Sequence, residues 1–522
     1  MTDQIAWVAL IGPLALGAVS GLAAARSDRR LEPVLKAAEV AGVLSMLAAV
    51  VAAGSVAVWG SGTSSLLGLA GIAVSVRLDP LSVAMLALVS VVGTVVLRFS
   101  RNYLDGDPGQ GRFTGDLCLT LAAAALLVVS GNLVQLVAAW IGTSLALHRL
   151  LVFYRDRPRA VAAARGKFLV ARASDACLIG AALLLATAFG TTDIAEILAQ
   201  ARLVDGAPEP GVILAAGLIV VAALLKSAQF PSHGWLIEVM ETPTPVSALL
   251  HAGIVNAGGF LVVRFADVVV LSGGAMHLLA AVGAVTALVG SIVMATQSSV
   301  KLSLAWSTVA QMGFMMLQCG LGAFALAALH IVAHSAYKAH AFLSSGTAVS
   351  TLRRTSSPAP VAPGRVLAGL AAALGAYAAL ALALGLWDAG RPATLAFGAI
   401  LVLGVAHLLM PALAGRPSLG SVAAPLAAAC GAAVAYAVLH AGAVRILGPV
   451  VPEPATADGV SLAIAAAAVA GFATIAFLQL AGGPRIADGL ARAAYVHVAN
   501  GFYLNVLFGR LTGAFRVPGG PS

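Results

Sequence analysis

Acidic residues are scarce in this chain: 21 Asp and Glu stand against 30 Lys and Arg in 522 residues, and charged residues of both signs reach only 10%. A water-soluble domain carries about a quarter, so a soluble enzyme is excluded. Cysteine is equally thin. Cys118, Cys177, Cys319 and Cys430 lie far apart in or beside apolar runs, which suggests neither a CxxC metal site nor a disulfide framework. No basic arm is present to bind a polyanion, so no nucleic acid is expected as a partner. No early apolar run is followed by an A-x-A-like processing site and a polar domain, and residues 1–25 read as a retained helix rather than a signal peptide. What fills the chain instead is apolar: 60% hydrophobic residues and a mean hydropathy of +0.98.

Stretches of about 17–25 apolar residues between polar or Pro/Gly breaks are long enough to cross a bilayer. They fall near 4–25, 36–59, 80–99, 115–131, 132–154, 168–190, 211–230, 244–270, 275–296, 301–319, 323–351, 366–387, 394–412, 420–444 and 461–481. The expected fold is all-α: a polytopic membrane protein of about 15 transmembrane helices, within the range 13–16. With the N-terminus outside, twenty-one loop cations, Lys167 among them, fall on inner connections and four on outer ones. That bias orients the protein and places the C-terminus in the cytoplasm. The tail from Arg485 to Phe515 mixes apolar and polar residues as an amphipathic helix does, lying on the membrane or docking a partner. Alternating residues in 65–79 suggest a short outer hairpin.

Five cations remain inside the spans: Arg149, Arg172, Lys226, Arg264 and Lys338. An unpaired charge there costs at least about 2.5–3.5 kcal/mol, so each needs a partner, water or a purpose. Arg149 and Arg264 lie toward helix ends and are placed to snorkel. The lysines differ, because the chain holds 25 Arg and only 5 Lys, yet Lys226 and Lys338 sit in spans and Lys301 opens one. Arginine stays protonated, whereas a desolvated lysine exchanges protons near neutrality. His330, His334 and Lys338 are spaced i, i+4, i+8 and share one helix face, with His340 nearby. HxxxH is also a zinc spacing, but no cysteine or carboxylate lies in that helix and HExxH is absent. No metal and no cofactor is expected in this chain.

Residues 226–251 read K-S-A-Q-F-P-S-H-G-W-L-I-E-V-M-E-T-P-T-P-V-S-A-L-L-H. An apolar helix meets Pro231, passes a polar stretch with His233, Glu238 and Glu241, and resumes after Pro243 and Pro245. Such broken helices mark ion sites in transporters; an ordinary cytoplasmic loop fits Glu238 and Glu241 as well. Asp175 is the one carboxylate well inside a span, with Arg172 at i−3, either as a static pair or as a gate that opens in transport.

Together K-S-A-Q-F-P, P-T-P-V-S-A-L-L-H, K-L-S-L-A-W-S-T-V-A-Q-M-G (301–313) and H-I-V-A-H-S-A-Y-K-A-H-A-F-L (330–343) resemble the antiporter-like subunits of respiratory complex I and the Mrp antiporters over roughly 80–350. The resemblance implies two inverted five-helix repeats, near helices 4–8 and 9–13, each with a broken helix. It implies that Lys226 is the channel lysine, that His251 belongs to the path, and that His330, His334 and Lys338 form the central relay, with Arg172 and Asp175 as an R-x-x-D pair. Two positions depart from the pattern. The glutamate expected after the helix-5 tryptophan is Ile141, following Trp140, and no lysine follows Lys338.

The spellings E-V-M-E-T-P-T-P-V-S-A-L-L-H-A-G, W-I-G-T-S-L-A-L-H and Y-V-H-V-A-N-G-F-Y-L most resemble the membrane subunit (DabB) of the DAB inorganic-carbon transporters. That resemblance implies the cell membrane as location and a large zinc-containing, DabA-like partner related to β-carbonic anhydrases. It implies H+ or Na+ flow coupled to CO2 or bicarbonate accumulation, the zinc chemistry lying in the partner and not in this chain. Expected units are N-terminal helices in 1–114, an ion-translocating core in 115–351, C-terminal helices in 352–481 and a cytoplasmic tail in 482–522. The expected ion-path residues are Lys226, His251, His330, His334, Lys338, Asp175, Arg172, Lys301, Glu238 and Glu241. The rival readings are a complex I-like proton pump subunit or Mrp-type antiporter, and a membrane scaffold without transport.

Overall fold

The computed structural model describes residues 2–25, 31–69, 72–346, 362–383, 392–414, 419–453, 458–481 and 488–512. Helices dominate because a backbone in lipid must satisfy its own hydrogen bonds. The first are α1 (Gln4–Ala25), α2 (Leu31–Trp59) and α3 (Pro80–Tyr103). Between α2 and α3, β1 (Gly62–Thr63) pairs with β4 (Arg77–Leu78), and β2 (Leu67–Leu69) with β3 (Ile72–Val74), all antiparallel, so strands pair in the segment expected to form a hairpin.

There follow α4 (Gln110–Val128), α5 (Leu133–Leu151), α6 (Pro158–Phe189), a short α7 (Ile194–Arg202), α8 (Pro210–Lys226) and α9 (Gly234–Glu238). Next come α10 (Thr244–Ala252), α11 (Ala257–Arg264), α12 (Ala266–Val269), α13 (Gly273–Met294), α14 (Val300–Gly320) and α15 (Phe324–Leu343). The chain closes with α16 (Pro363–Ala383), α17 (Pro392–Ala414), α18 (Leu419–Leu447), α19 (Gly459–Leu480), α20 (Asp488–Ala499) and α21 (Leu504–Thr512).

Every expected span overlaps one or more of these helices. Among the described residues nine are long and apolar enough to cross a membrane; the protein is a polytopic membrane protein. Their starts are written in the sequence. Asp79 caps α3, accepting from Ser82 N at 2.8 Å with Pro80 in the first turn, and Asn132 caps α5, accepting from Gln135 N at 2.8 Å. α6 ends at Gly190, whose φ of 67° suits glycine.

Between lipid-bathed helices close packing replaces the hydrophobic effect, and small residues permit it. A Cβ on Gly283 of α13 or on Gly313 of α14 would strike the facing backbone.

One helix is broken as expected. α8 stops at Lys226, residues 227–233 run irregularly with Ala228 at φ 50°, and α9 resumes at Gly234. The freed backbone is repaired locally: Phe230 N donates to Thr286 Oγ1 of α13 at 3.0 Å, Gln229 Nε2 to Ser227 O at 2.9 Å, and Ser232 Oγ to Gln229 O at 3.0 Å. Irregular backbone at this depth survives because protein, not lipid, surrounds it. The counterpart expected within helices 9–13 belongs to a stretch that lies partly outside the described residues.

Two expectations about cations need correcting. Arg264 does not snorkel: it is buried and bonded to Asp79 and to Ser82 Oγ, the latter at 2.6 Å. Lys167 is not a loop cation, because α6 begins at Pro158, nearly three turns earlier than the apolar run, and carries Lys167 inside the protein. Arg149, half-exposed, pairs with Asp116 at 2.8 Å.

Candidate functional site

Two buried polar clusters among the described residues gather most of the residues singled out above. The first lies where α5, α6 and α8 meet. Lys226, at the C-terminal end of α8, is buried; its Nζ donates to Ser144 Oγ at 2.7 Å and to Trp140 O at 3.4 Å, and lies 4.3 Å from the centre of the Trp140 ring. Trp140 and Ser144 are one turn apart on α5, so one helix face supplies the carbonyl, the hydroxyl and the aromatic surface. Asp175 of α6 pairs with Arg172 at 2.6 Å, and its charge is also felt at Lys226. The carboxylate whose charge reaches Lys226 is thus on α6, whereas the helix-5 position holds Ile141.

Lys167, absent from the sequence reading of the site, joins this group. Its buried Nζ donates to Ser144 O at 2.9 Å. The signal that would have revealed it is its scarcity as one of 5 lysines, five residues before Arg172.

The second group spans α10, α14 and α15. His251 is fully buried with its ring stacked on Phe342 at 4.4 Å, and neither ring nitrogen has a hydrogen-bond partner. His334 hydrogen-bonds to the His251 backbone and leaves Nε2 unpartnered. The i, i+4 spacing brings His330 to 5.9 Å from His334, ring centre to ring centre. Lys338 is fully buried; its Nζ donates to Leu304 O at 3.0 Å and also to Ser307 Oγ, both on α14. His340 turns outward.

Polar side chains lie between the two groups. Ser227, next to Lys226, donates to Val255 O at 2.7 Å, and the adjoining Asn256 donates to Ser335 Oγ at 2.8 Å, beside His334. Val255 and Asn256 lie where α10 gives way to α11, and Gly258 lets this turn press on α8, since a Cβ there would meet Ser227 and Ala223. Sequence reading missed Ser227, Asn256, Ser307 and Ser335, because a serine or asparagine acquires meaning only from what it faces.

The remaining expected residues lie apart. Lys301 donates to Thr244 Oγ1 at 3.0 Å at the N-terminal ends of α10 and α14. Glu238 closes α9, half-buried, and Glu241 sits in the turn that follows, its side chain outside the described residues. His233 is buried between Phe230 and Trp306, its two nitrogens unpartnered. Among the described residues no set of three or more His, Cys, Asp or Glu is grouped to hold a metal ion.

Buried titratable groups joined by hydroxyls and carbonyls are what a proton or cation relay needs: each can accept or give up a proton without a carbon skeleton moving far. Residues 130–414 match the family model for the membrane region of NADH:quinone oxidoreductase and Mrp antiporters, and residues 67–114 that for the N-terminus of complex I chain 5.

The chain is 42% identical over 462 residues to a probable inorganic carbon transporter subunit DabB2 of Halothiobacillus neapolitanus, covering 86% of this chain and 81% of that one. It is 47% identical over 290 residues to a probable DabB of Hydrogenovibrio crunogenus, covering 55% of this chain and 56% of that one. The second match thus spans little more than half of either protein. Among solved structures, a chain of the Mrp complex from Dietzia sp. DQ12-45-1b superposes with a TM-score of 0.59 at 25% identity, over 97% of this chain and 56% of that one.

Proposed function

The chain belongs to the NADH:quinone oxidoreductase/Mrp antiporter membrane family, among the DabB subunits of inorganic carbon transporters, and on that premise we propose that it conducts H+ or Na+ to drive uptake of CO2 or bicarbonate. The observation that carries this reading is the set of buried titratable side chains, Lys226 with Asp175, then His251, His334 and Lys338, with Arg172 paired to Asp175 and with Ser227, Asn256 and Ser335 lying between the two groups. Lipid-immersed proteins dispense with such groups unless they are used.

In this reading a cation enters near Lys301, Glu238 and Glu241, at the ends of α9, α10 and α14. It passes Lys226 as the Arg172–Asp175 pair opens, and continues along the face of α15 from Lys338 to His334 and His330. The ion-conducting unit is 115–351, flanked by helices in 1–114 and 352–481. The N-terminus lies outside the cell membrane and the C-terminus in the cytoplasm.

The chain is a transporter subunit, and the hydration chemistry belongs to a large zinc-containing, DabA-like partner related to β-carbonic anhydrases. In this reading the tail of 482–522 touches that partner. α20 packs at the end of α13, where Tyr495 donates to Thr296 O at 3.4 Å and Gln297 donates to Ala499 O at 3.2 Å, and α21 packs against α9.

The test is co-expression with a DabA-like large subunit in carbonic-anhydrase-deficient cells, scored as growth in air. Rescue that disappears with Lys226→Ala or His334→Ala supports the reading, and rescue that survives both overturns it. A complex I-like or Mrp-type role, favoured by the family model alone, predicts cation/proton exchange in vesicles without any large subunit.

A further inference from the structure

Ser144 holds two lysines at once. Its carbonyl accepts from Lys167 at 2.9 Å and its hydroxyl accepts from Lys226 at 2.7 Å, so two buried amines from different helices meet on one residue of α5. Lys167, Lys226 and Trp235 also line a cavity of about 10 Å³, close to the room one water requires. Every polar side-chain atom on that lining is a nitrogen donor, and the Trp235 indole N–H is buried without a partner. Such a site wants an acceptor, which a water oxygen or an unprotonated amine supplies.

The charge balance points the same way. Lys167, Lys226 and Arg172 share a single carboxylate, Asp175, and the arginine already occupies it at 2.6 Å. Two full ammoniums beside each other in a low-dielectric interior repel, and each carries a desolvation cost. Among the described residues Lys167 meets one hydrogen-bond acceptor, Ser144 O, for the three donors an ammonium would present.

We infer that Lys167 is a second exchanging lysine of this site and shares one proton with Lys226 across Ser144 through a single water. The transfer balances: an N–H bond of one ammonium breaks as its proton passes to the water, another proton leaves that water, and an N–H bond forms on the lone pair of the other amine. The water ends as it began. His148, one turn beyond Ser144 on α5, faces Lys167 electrostatically and leaves Nδ1 unpartnered, so it stands as the next group toward the end of the helix. The inference deepens the transport reading above and rests on it for its direction of flow, while the shared proton is observable without transport.

The chain has only five lysines, at 36, 167, 226, 301 and 338, so lysine labelled with 15N gives a side-chain spectrum assignable by single substitution. Solid-state NMR of the labelled full chain in bilayers at neutral pH is expected to show one ammonium and one amine resonance for Lys167 and Lys226. Lys167→Met is expected to return the Lys226 resonance to that of a plain ammonium. Two ammonium resonances in the parent chain, or a Lys226 resonance indifferent to Lys167→Met, overturns the inference.

Proton uptake by membrane vesicles carrying the full chain with its natural partner supplies the second arm. Lys167→Arg keeps charge and volume but does not exchange protons, and is expected to lower flux by about 10-fold or more. Parent-like flux in both Lys167→Arg and Lys167→Met would leave Lys167 structural and overturn its role in exchange. Full flux in Lys226→Met with the shared-proton spectrum intact in the parent chain would sink the transport reading and leave the lysine pair standing.

Discussion

The protein buries charge in two ways, and the contrast between them separates structure from function. At the start of α3, Asp79 caps the helix through Ser82 N at 2.8 Å, accepts from Arg77 Nε at 2.8 Å and is clasped by both guanidinium nitrogens of Arg264. The carboxylate is fully buried and its oxygens are saturated with donors. Burial alone would raise its pKa, but the two guanidiniums outweigh that and hold it well below the ordinary carboxylate range. Nothing here has a proton to exchange.

In the interior the balance is reversed. Lys226 and Lys338 rest on a carbonyl and a hydroxyl each, while His251 and His334 keep ring nitrogens unpartnered. The first network is over-provided with partners and fixes the fold. The second is under-provided, which is the condition for a group to change partner or protonation state during turnover.

The contrast is tested most severely at Asp79. Asp79→Asn removes the charge and strands Arg264, which is expected to cost about 3–5 kcal/mol, read as a large fall in thermal unfolding temperature in detergent. The same network carries a pH signature. Because the folded carboxyl titrates below its unfolded value, its stabilisation is complete above about pH 4 and drains away as pH falls further. Acid unfolding of the parent chain measures this, and Asp79→Asn is expected to flatten that dependence.

Lys226→Met is expected to do the opposite of Asp79→Asn: ion flux falls about 100-fold while unfolding stays within about 1 kcal/mol of the parent. A stability loss as large as that of Asp79→Asn, with flux retained, would erase the distinction between the two networks. His334→Ala interrupts the second interior group and is expected to lower flux by about 10-fold, measured by quenching of a pH-sensitive dye in vesicles. Ser307→Ala removes only the hydroxyl partner of Lys338; a bond of this kind is worth about 1 kcal/mol, so a change of a few-fold in flux is expected, the smallest in the series.

Much of this was legible in the sequence. Hydropathy alone places the helices, because a lipid environment demands long uninterrupted apolar runs and advertises every exception. Lys226, His334 and Lys338 stand out because they are such exceptions, and Pro231 announces the break after α8. Lys167 escaped because the polar residues around it, Arg157 to Arg165, look like a cytoplasmic loop, and only the helix that continues through them carries it indoors. Arg264 looked free to snorkel because its partner, Asp79, lies 185 residues away in sequence.

The sequence by itself determined the solvent, the approximate helix positions, the break in α8 and which ionisable residues are stranded in lipid-spanning segments, since each follows from local composition and spacing. Tertiary structure alone decided which of those charges are locked and which are poised. That choice depends on partners brought from distant segments, Asp175 and Ser144 to Lys226, Ser307 to Lys338, Asp79 to Arg264. A hydrogen bond or an ion pair is a relation between positions in space, and no single stretch of chain contains it.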